Sequence, residues 1–417
     1  MGSAAKTADE IDRRRRGVLV MEAQALGMIG VIRSLGRAGY SVHAASQHAD
    51  ALGFHSRFAA DRVRHPPYAS REFVPWLDAY LRDRKISLLI PSEGFIHAIE
   101  GEYHRFEHLL PDSVPIAIWR RCLSKVSTQS TLLASDALEH MPLGGMIRTR
   151  EDLVDFSPSS LGAGPFYLKG DAGDCVDGHA ATVRRCRSPG ELRDAVSELA
   201  PKYRTLLWQR YVPGKKVGVS LWRHGEKFLA ENMTIGIHME PHTGGMMSLR
   251  RTFWHDALLA DAKAKLIRLG WQGVAMMEYK WDPETDDFWF IEINARYWGY
   301  LHLDLYAGKD FPRLQADAFF GLAREDLGPS RRQITCRNTI PGEIGYLVSL
   351  LKDREVSSPR KLREAALFVL LFFAPGHKED LRFPGDRSLY WTMWRRFLLD
   401  SFRLRRRRHE GAVRLPS

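Results

Sequence analysis

Glu278, Glu292, Asn294 and Arg296 are the residues of this chain whose types and spacing best suit chemistry. Glu278 closes the run Gly273-Val-Ala-Met-Met-Glu278. Glu292-Ile-Asn294-Ala-Arg296 closes a second apolar run, and an acidic, proline-containing turn at 282–287 separates the two. Both runs read as strands, and residues two apart in a strand share a face. Glu292, Asn294 and Arg296 therefore project together, with Glu278 within reach on the neighbouring strand. Two carboxylates and an amide oxygen are hard ligands suited to Mg²⁺, which keeps water and substrate phosphate in its remaining positions. A guanidinium beside them suits a phosphate or acyl-phosphate oxygen. The same groups would also serve as salt bridges on an exposed face, and spacing alone does not choose.

Three further places carry candidate groups. Lys169 ends the apolar strand Phe166–Lys169 just before a glycine-rich stretch, 170–178, whose backbone amides suit phosphate. Glu93 follows the strand Leu88–Pro91, at the carboxyl end where α/β sheets bind ligands. It would hold a cationic amine there, or act as the acid in the first turn of the next helix. Gly27 and Gly30 supply only two of the three glycines that a dinucleotide fingerprint needs.

Behind these residues the hydrophobic pattern gives strand–helix–strand units from Val18 to Ile118: strands Val18–Met21, Tyr40–Ala45, Ile86–Ile90 and Pro115–Ile118, helices Val31–Ala38, Ser70–Arg84 and Phe95–Glu107. That is a Rossmann-like α/β lobe over 18–120. Residues 121–325 read as α+β, with a helix around Lys125, a small lobe at about 140–212, and hairpins at Val217–Met233 and Val274–Ile293. Gly236–Arg251 reads as a polar loop. Residues 326–417 read as a mostly helical extension with an arginine-rich end, and 1–17 as a basic disordered tail.

The 417 residues carry 61 Lys and Arg against 50 Asp and Glu, a formal charge of +11. The runs Arg13–Arg16 and Arg405–Arg408 hold eight of those charges and leave +3 for the rest, so the folded body is not expected to bind nucleic acid. The four cysteines form no CxxC pair and fit a reducing cytoplasm. No secretory signal is read, and the apolar run Ala365–Ala374 is too short to span a bilayer.

The blocks Gly273–Lys280, Phe290-Ile-Glu292-Ile-Asn294-Ala-Arg296-Tyr-Trp-Gly299 and Leu303–Pro312 resemble the ATP-grasp superfamily, in its carboxylate–amine ligase and carbamoyl-phosphate-synthase-like branch. The resemblance covers about 18–320. It implies ATP as cosubstrate, Mg²⁺ (Mn²⁺ as the alternative) on Glu278, Glu292 and Asn294, and Arg296 on the transferred phosphate. It implies nucleotide phosphate contacts for Lys125 and Lys169, and an adenine-facing hinge at Gln209-Arg210-Tyr211-Val212, where Arg210 replaces the usual acid. It implies that 236–251, with His238, His242, Arg250 and Arg251, closes over the triphosphate, one of the two arginines reaching phosphate. Ala295 stands where many relatives carry proline.

The expected activity is ADP-forming ligation of a small-molecule carboxylate, through an acyl phosphate, to an amine. A non-catalytic ATP-binding module and a nicotinamide oxidoreductase are the alternatives. In 389–408, Tyr390, Trp394, Phe397, Leu398 and Phe402 share a helical face beside arginines. That face either packs on the enzyme or meets an anionic membrane or acidic partner.

Overall fold

The computed structural model describes residues 12–412 apart from 136–138, 149–151, 154–155, 177–180, 323–331 and 375, with side chains as far as residue 400 except Ala172. Two compact units form. One gathers the residues up to Pro111, Gly236–Phe253 and those from Tyr297 on; the other holds Asp112–Ile235 and Trp254–Arg296.

In the first unit, four parallel strands run in the order Asp61–Arg64, Ser41–Ser46, Gly17–Val20, Ile86–Ile90. Val18, Leu19 and Val20 are wholly buried, as expected of a parallel strand covered on both faces. The edge strand Asp61–Arg64 (Asp-Arg-Val-Arg) escapes a hydrophobic reading because its alternate residues face solvent. Helix Leu26–Ala38 follows the first strand and stops at Gly39, whose φ of 102° is the left-handed conformation of a helix end. A Cβ on Gly27 would stand 2.5 Å from the Trp298 carbonyl oxygen, and one on Gly30 would stand 3.0 Å from Leu301. These two glycines let the 297–306 segment approach the helix.

The expected helix Phe95–Glu107 is broken. It begins as Glu93–Ile99 and continues as single turns past Gly101. The amino-terminal basic run is not wholly a free tail, since Arg13 is bonded to Asp317 at 2.7 Å. Residues 1–11 lie outside the described residues.

The second unit carries two antiparallel sheets. One has the order Gly144–Arg148, Thr205–Arg210, Phe166–Gly170, Thr182–Cys186. Helix Pro189–Leu199 packs on it through Leu192, Ala195, Val196 and Leu199. Ser188 caps that helix by accepting from the Glu191 N–H, and Pro189 occupies its first turn. The other sheet places Gly273–Trp281 between Phe288–Asn294 and Lys215–His224, and the latter pairs with Lys227–Ile235. The strand expected at Pro115–Ile118 is the start of helix Ile116–Leu123. Pro115 stands just before it, and Trp119 and Cys122 are buried one turn apart.

The stretch 236–251, expected as a loop, is mostly strand. The strand from Lys227 runs on to Glu240, a turn holds Gly244 and Gly245, and Met246–Thr252 pairs with Thr335–Arg337. Met247, Ser248, Leu249 and Arg250 are all buried, so polar side chains conceal what is an interior strand.

Candidate active site

The second unit holds most of the candidate groups, and its strand register sets them. Glu278 lies directly opposite Glu292, and Met276 opposite Asn294. A bulge after Glu278 leaves Ile291 without a cross-strand partner, since Tyr279 next pairs with Phe290. Cross-strand carboxylates repel each other. Here each is met by a lysine: Lys216 Nζ lies 2.7 Å from Glu278 and Lys125 Nζ 2.5 Å from Glu292. Lys216 comes from the neighbouring strand, where Glu278 stands opposite Gly218. Lys125 opens the helix Lys125–Leu133, whose cap is the Ser124 hydroxyl accepting from the Ser127 N–H.

Lys169 is the third cation. It is buried on Phe166–Gly170 and donates to Gln209 Oε1 at 2.6 Å. Burial pulls its ammonium down to about 8 against an ordinary 10.5, with Lys125 adding to the fall and Glu292 and Glu278 opposing it. Burial also pushes the Glu278 carboxyl up, an effect that Glu292 reinforces and Lys216 opposes. At Glu292 burial acts in the same upward direction, but the Lys125 ion pair outweighs it and holds the carboxyl below the usual range.

Asn294 ends its strand and Arg296 lies two residues beyond, both half-buried. In the segment Gln209–Val212, the Arg210 N–H is bonded to the Leu143 carbonyl at 2.7 Å and the Tyr211 N–H to the Pro165 carbonyl at 2.9 Å. The Arg210 guanidinium reaches the Ala163 carbonyl at 3.2 Å and so ties down the loop before the central strand. Of the glycine-rich stretch, 177–180 lie outside the described residues. Asp171 receives the Gly173 N–H at 3.2 Å and the Val126 N–H at 3.3 Å.

Glu93, Arg250 and Arg251 belong to the other unit. Ser92, not Glu93, caps the helix Glu93–Ile99 by accepting from the Phe95 N–H. Arg251 is exposed. Arg250 is fully enclosed and ion-paired with Asp380, whose carboxylate outweighs the burial penalty and holds the guanidinium above its usual range. An arginine so enclosed is an interior ion pair, and the phosphate contact expected of it is not one its position offers. The two histidines of the supposed lid are also fixed. His238 lies 3.1 Å from Glu343 and stacks on Tyr346, and His242 lies 2.8 Å from Asp353. Gly27 and Gly30 serve helix packing and leave no separate ground for a dinucleotide site.

Lys216 escaped the sequence reading. Its signal was present in the alternation of Lys216, Gly218 and Ser220 with the buried Val217, Val219 and Leu221, which gives that strand a polar face toward Glu278. Among the described residues no three His, Cys, Asp or Glu come together as a metal cluster. Two opposed carboxylates, each paired with a lysine, with an amide two residues further along the same strand, still fit a hard cation that draws its other oxygens from water and phosphate.

The fold is the ATP-grasp fold, as the solved structures that share it show. No protein-family model matches the chain, and no curated protein matches it by sequence. Solved structures do. L-amino acid ligase from Bacillus licheniformis superposes with a TM-score of 0.57 and 15% identity, over 77% of this chain and 79% of that one. The ADP complex of purK, N5-carboxyaminoimidazole ribonucleotide synthetase, gives 0.59 and 14%, over 86% and 96%. Biotin carboxylase from Campylobacter jejuni in its β-γ-ATP complex gives 0.56 and 14%, over 74% and 72%.

Proposed function

We propose that this chain is an ADP-forming ligase of the cytoplasm. It uses ATP to activate a small-molecule carboxylate as an acyl phosphate and passes the acyl group to an amine. The observation that carries the reading is the direct opposition of Glu278 and Glu292, each neutralised by a lysine. Like charges directly opposite each other cost stability, and such costs gather at functional sites. Neighbours of the same fold include an L-amino acid ligase and an ADP complex, which supports the reaction class and the nucleotide. The four cysteines are free thiols, which suits a reducing compartment.

The lysines are the working parts. Without nucleotide they neutralise the carboxylates. With the ATP phosphates bound, Lys125, Lys169 and Lys216 would pair with them, and Glu278, Glu292 and Asn294 would be the residues left to hold Mg²⁺. Bound there, the metal would supply neutralisation of phosphate charge. Arg296 faces the transferred phosphate, and Gln209–Val212 lie along the purine edge. The substrate carboxylate oxygen attacks the γ-phosphorus as the bond to ADP breaks. The amine then attacks the acyl carbon, phosphate departs, and the amine loses its proton. The protein positions and neutralises, with no side-chain nucleophile. Glu93 is our candidate for the cationic amine before it reacts.

Chromatography of the nucleotide products, across amino acids, dipeptides and acyl acids as substrates, tests this reading. ADP and phosphate in equal amounts, with hydroxamate formed when hydroxylamine is present, are expected. Stoichiometric AMP would exclude the acyl phosphate.

A further inference from the structure

Helix Ser358–Leu370 is turned inside out. Its one fully buried residue is Glu364, at 6% exposure, while Leu362 is 74%, Leu370 63% and Phe373, in the turn beyond, 80% exposed. With Ala366 and Val369 these residues recur at helical spacing, so they form one apolar stripe directed at solvent. Glu364 is spoken for on the inner side. Its carboxylate receives the Tyr346 hydroxyl at 3.2 Å and the Arg363 guanidinium at 2.7 Å, and lies 3.4 Å from His238. Isolated exposed leucines need no explanation, but a continuous apolar stripe opposite a buried carboxylate does.

The stripe belongs to a wider surface. The preceding helix, Ile344–Lys352, packs beside it and exposes Val348 and Leu351. A groove of about 580 Å³ is lined by Ile237, Tyr346, Leu367 and Leu370 together with Arg360, Arg363, His238 and Glu364. On the last helix, which starts at Ser388, Leu389, Tyr390 and Met393 pack inward against Ile29, Leu52 and Leu381. Trp394 is half-buried and lies 6.5 Å from the Phe372 ring. Of the face read as the membrane candidate by sequence, Tyr390, Trp394 and Phe397 are half-buried and Leu398 is exposed, as are Trp391 and Leu399 on the same helix, while the side chain of Phe402 lies outside the described residues.

The charge beside this surface is predominantly positive. On these three helices, up to residue 400, the exposed bases are Lys352, Arg360, Arg363 and Arg395, and the exposed acid is Asp400. The sequence that continues the last helix adds Arg403 and Arg405–Arg408 against Glu410. Two copies of such a face would meet with like charge. No helix of the described residues is long and apolar enough to cross a membrane. Apolar side chains flanked by guanidinium groups, on helices too short or too polar to span, match the chemistry of an anionic lipid surface: acyl chains for the stripe, phosphate headgroups for the arginines.

We propose that the outward faces of helices Ile344–Lys352, Ser358–Leu370 and the last helix dock this protein on an anionic bilayer, with the Leu362–Phe373 stripe entering the interface. The inference stands apart from the ligase reading, because none of these residues belongs to the ATP site. The full-length chain is to be sedimented with vesicles of phosphatidylcholine alone and of phosphatidylcholine with phosphatidylserine. The comparison variant is Leu362→Ser/Leu370→Ser/Phe373→Ser, which changes exposed side chains, keeps every charge and should melt as the parent does. The parent should pellet with the anionic vesicles only. Binding should fall at least roughly tenfold in high salt, and by a similar factor in the variant at low salt. Failure of the parent to pellet at low salt would overturn the proposal. So would a variant that binds as well as the parent, which would leave the arginine run as the whole cause. A parent that self-associates in sedimentation velocity, does not bind vesicles, and becomes monomeric in the variant would assign the face to a second copy instead.

Discussion

The second unit keeps two carboxylates side by side and lets lysines neutralise them. The first unit buries its charges in complementary pairs. Arg33 shows the second style. Its guanidinium pairs with Asp386 at 2.9 Å and donates to the carbonyls of Asp380 and Leu381 at 2.6 and 2.8 Å, with no exposure on either side chain of the pair. Lys125 and Glu292, by contrast, each keep a quarter to a third of the side chain in solvent, and a lysine is a point charge on a flexible stem. The residue types are nearly the same in both regions. What separates scaffold from site is whether the partner can be exchanged. A guanidinium locked by several bonds has no second state, whereas a lysine beside a carboxylate can turn to phosphate once a metal takes its place.

The largest effect is expected at Arg250. Arg250→Ala leaves Asp380 enclosed without its cation, and removing one partner of a buried pair costs about 3–5 kcal/mol. Thermal or urea unfolding should show that loss. Any fall in activity should follow the folded fraction, so a variant that lost turnover while melting as the parent does would return Arg250 to the active site.

Glu292→Gln should do the reverse. It removes a charge from the opposed pair and keeps the shape, so turnover should fall by ~10²–10³ through lost electrostatic positioning. The melting temperature should hold or fall only slightly, because relief of the repulsion from Glu278 is offset by loss of the Lys125 ion pair that holds the Glu292 carboxyl below its usual range. Steady-state rates and a melt on the same sample check both halves. Near-parental turnover would show that the carboxylate pair is not the site.

Gly27→Ala sharpens the reading of the glycine pair. A methyl 2.5 Å from the Trp298 carbonyl oxygen forces the helix and the 297–306 segment apart, an overpacking cost of about 1–3 kcal/mol. The variant should melt lower. A melting shift with NAD(H) in the parent that this variant abolishes would instead make Gly27 part of a nucleotide turn.

The carboxylate pair was legible in the sequence because each carboxylate follows an apolar run and a turn of acids and proline joins the two runs as a hairpin, while the bulge that sets their exact register left no mark. Gln209 entered only through the family resemblance, and its bond to Lys169 had no sign in the sequence, since strand order inside an α+β lobe leaves no local mark. The strand Met246–Thr252 was hidden by its own composition. Ser248, Arg250 and Arg251 look like loop, and the carboxylates that bury two of them, Glu343 and Asp380, lie about a hundred residues further on. Helix Ile116–Leu123 was lost because a short apolar run does not reveal its period. The inverted helix at 358–370 defeats the same rule from the other side. Periodicity finds the apolar stripe, and only the position of Glu364 tells which way that stripe faces.

Lys169 gives the mildest test, in pH. Its ammonium titrates at about 8 in the fold and at the ordinary 10.5 when unfolded. Between those values the unfolded chain binds a proton that the folded chain does not, so stability should rise with pH across that window. Below about 8 both states are charged and the cost of burying the charge is fully present. Nucleotide binding should run the opposite way, because phosphate needs the charged lysine. Above about pH 8, affinity should fall as one proton must be taken up with each nucleotide, by no more than about tenfold per pH unit. Lys169→Arg, which cannot lose its charge in this range, should flatten that fall, while Lys169→Met should remove both the affinity and the rise in stability. Calorimetric titration of ATP between pH 7 and 9 reads the slope. Equal slopes in parent and Lys169→Arg would place the titrating group elsewhere and leave Lys169 a structural partner of Gln209.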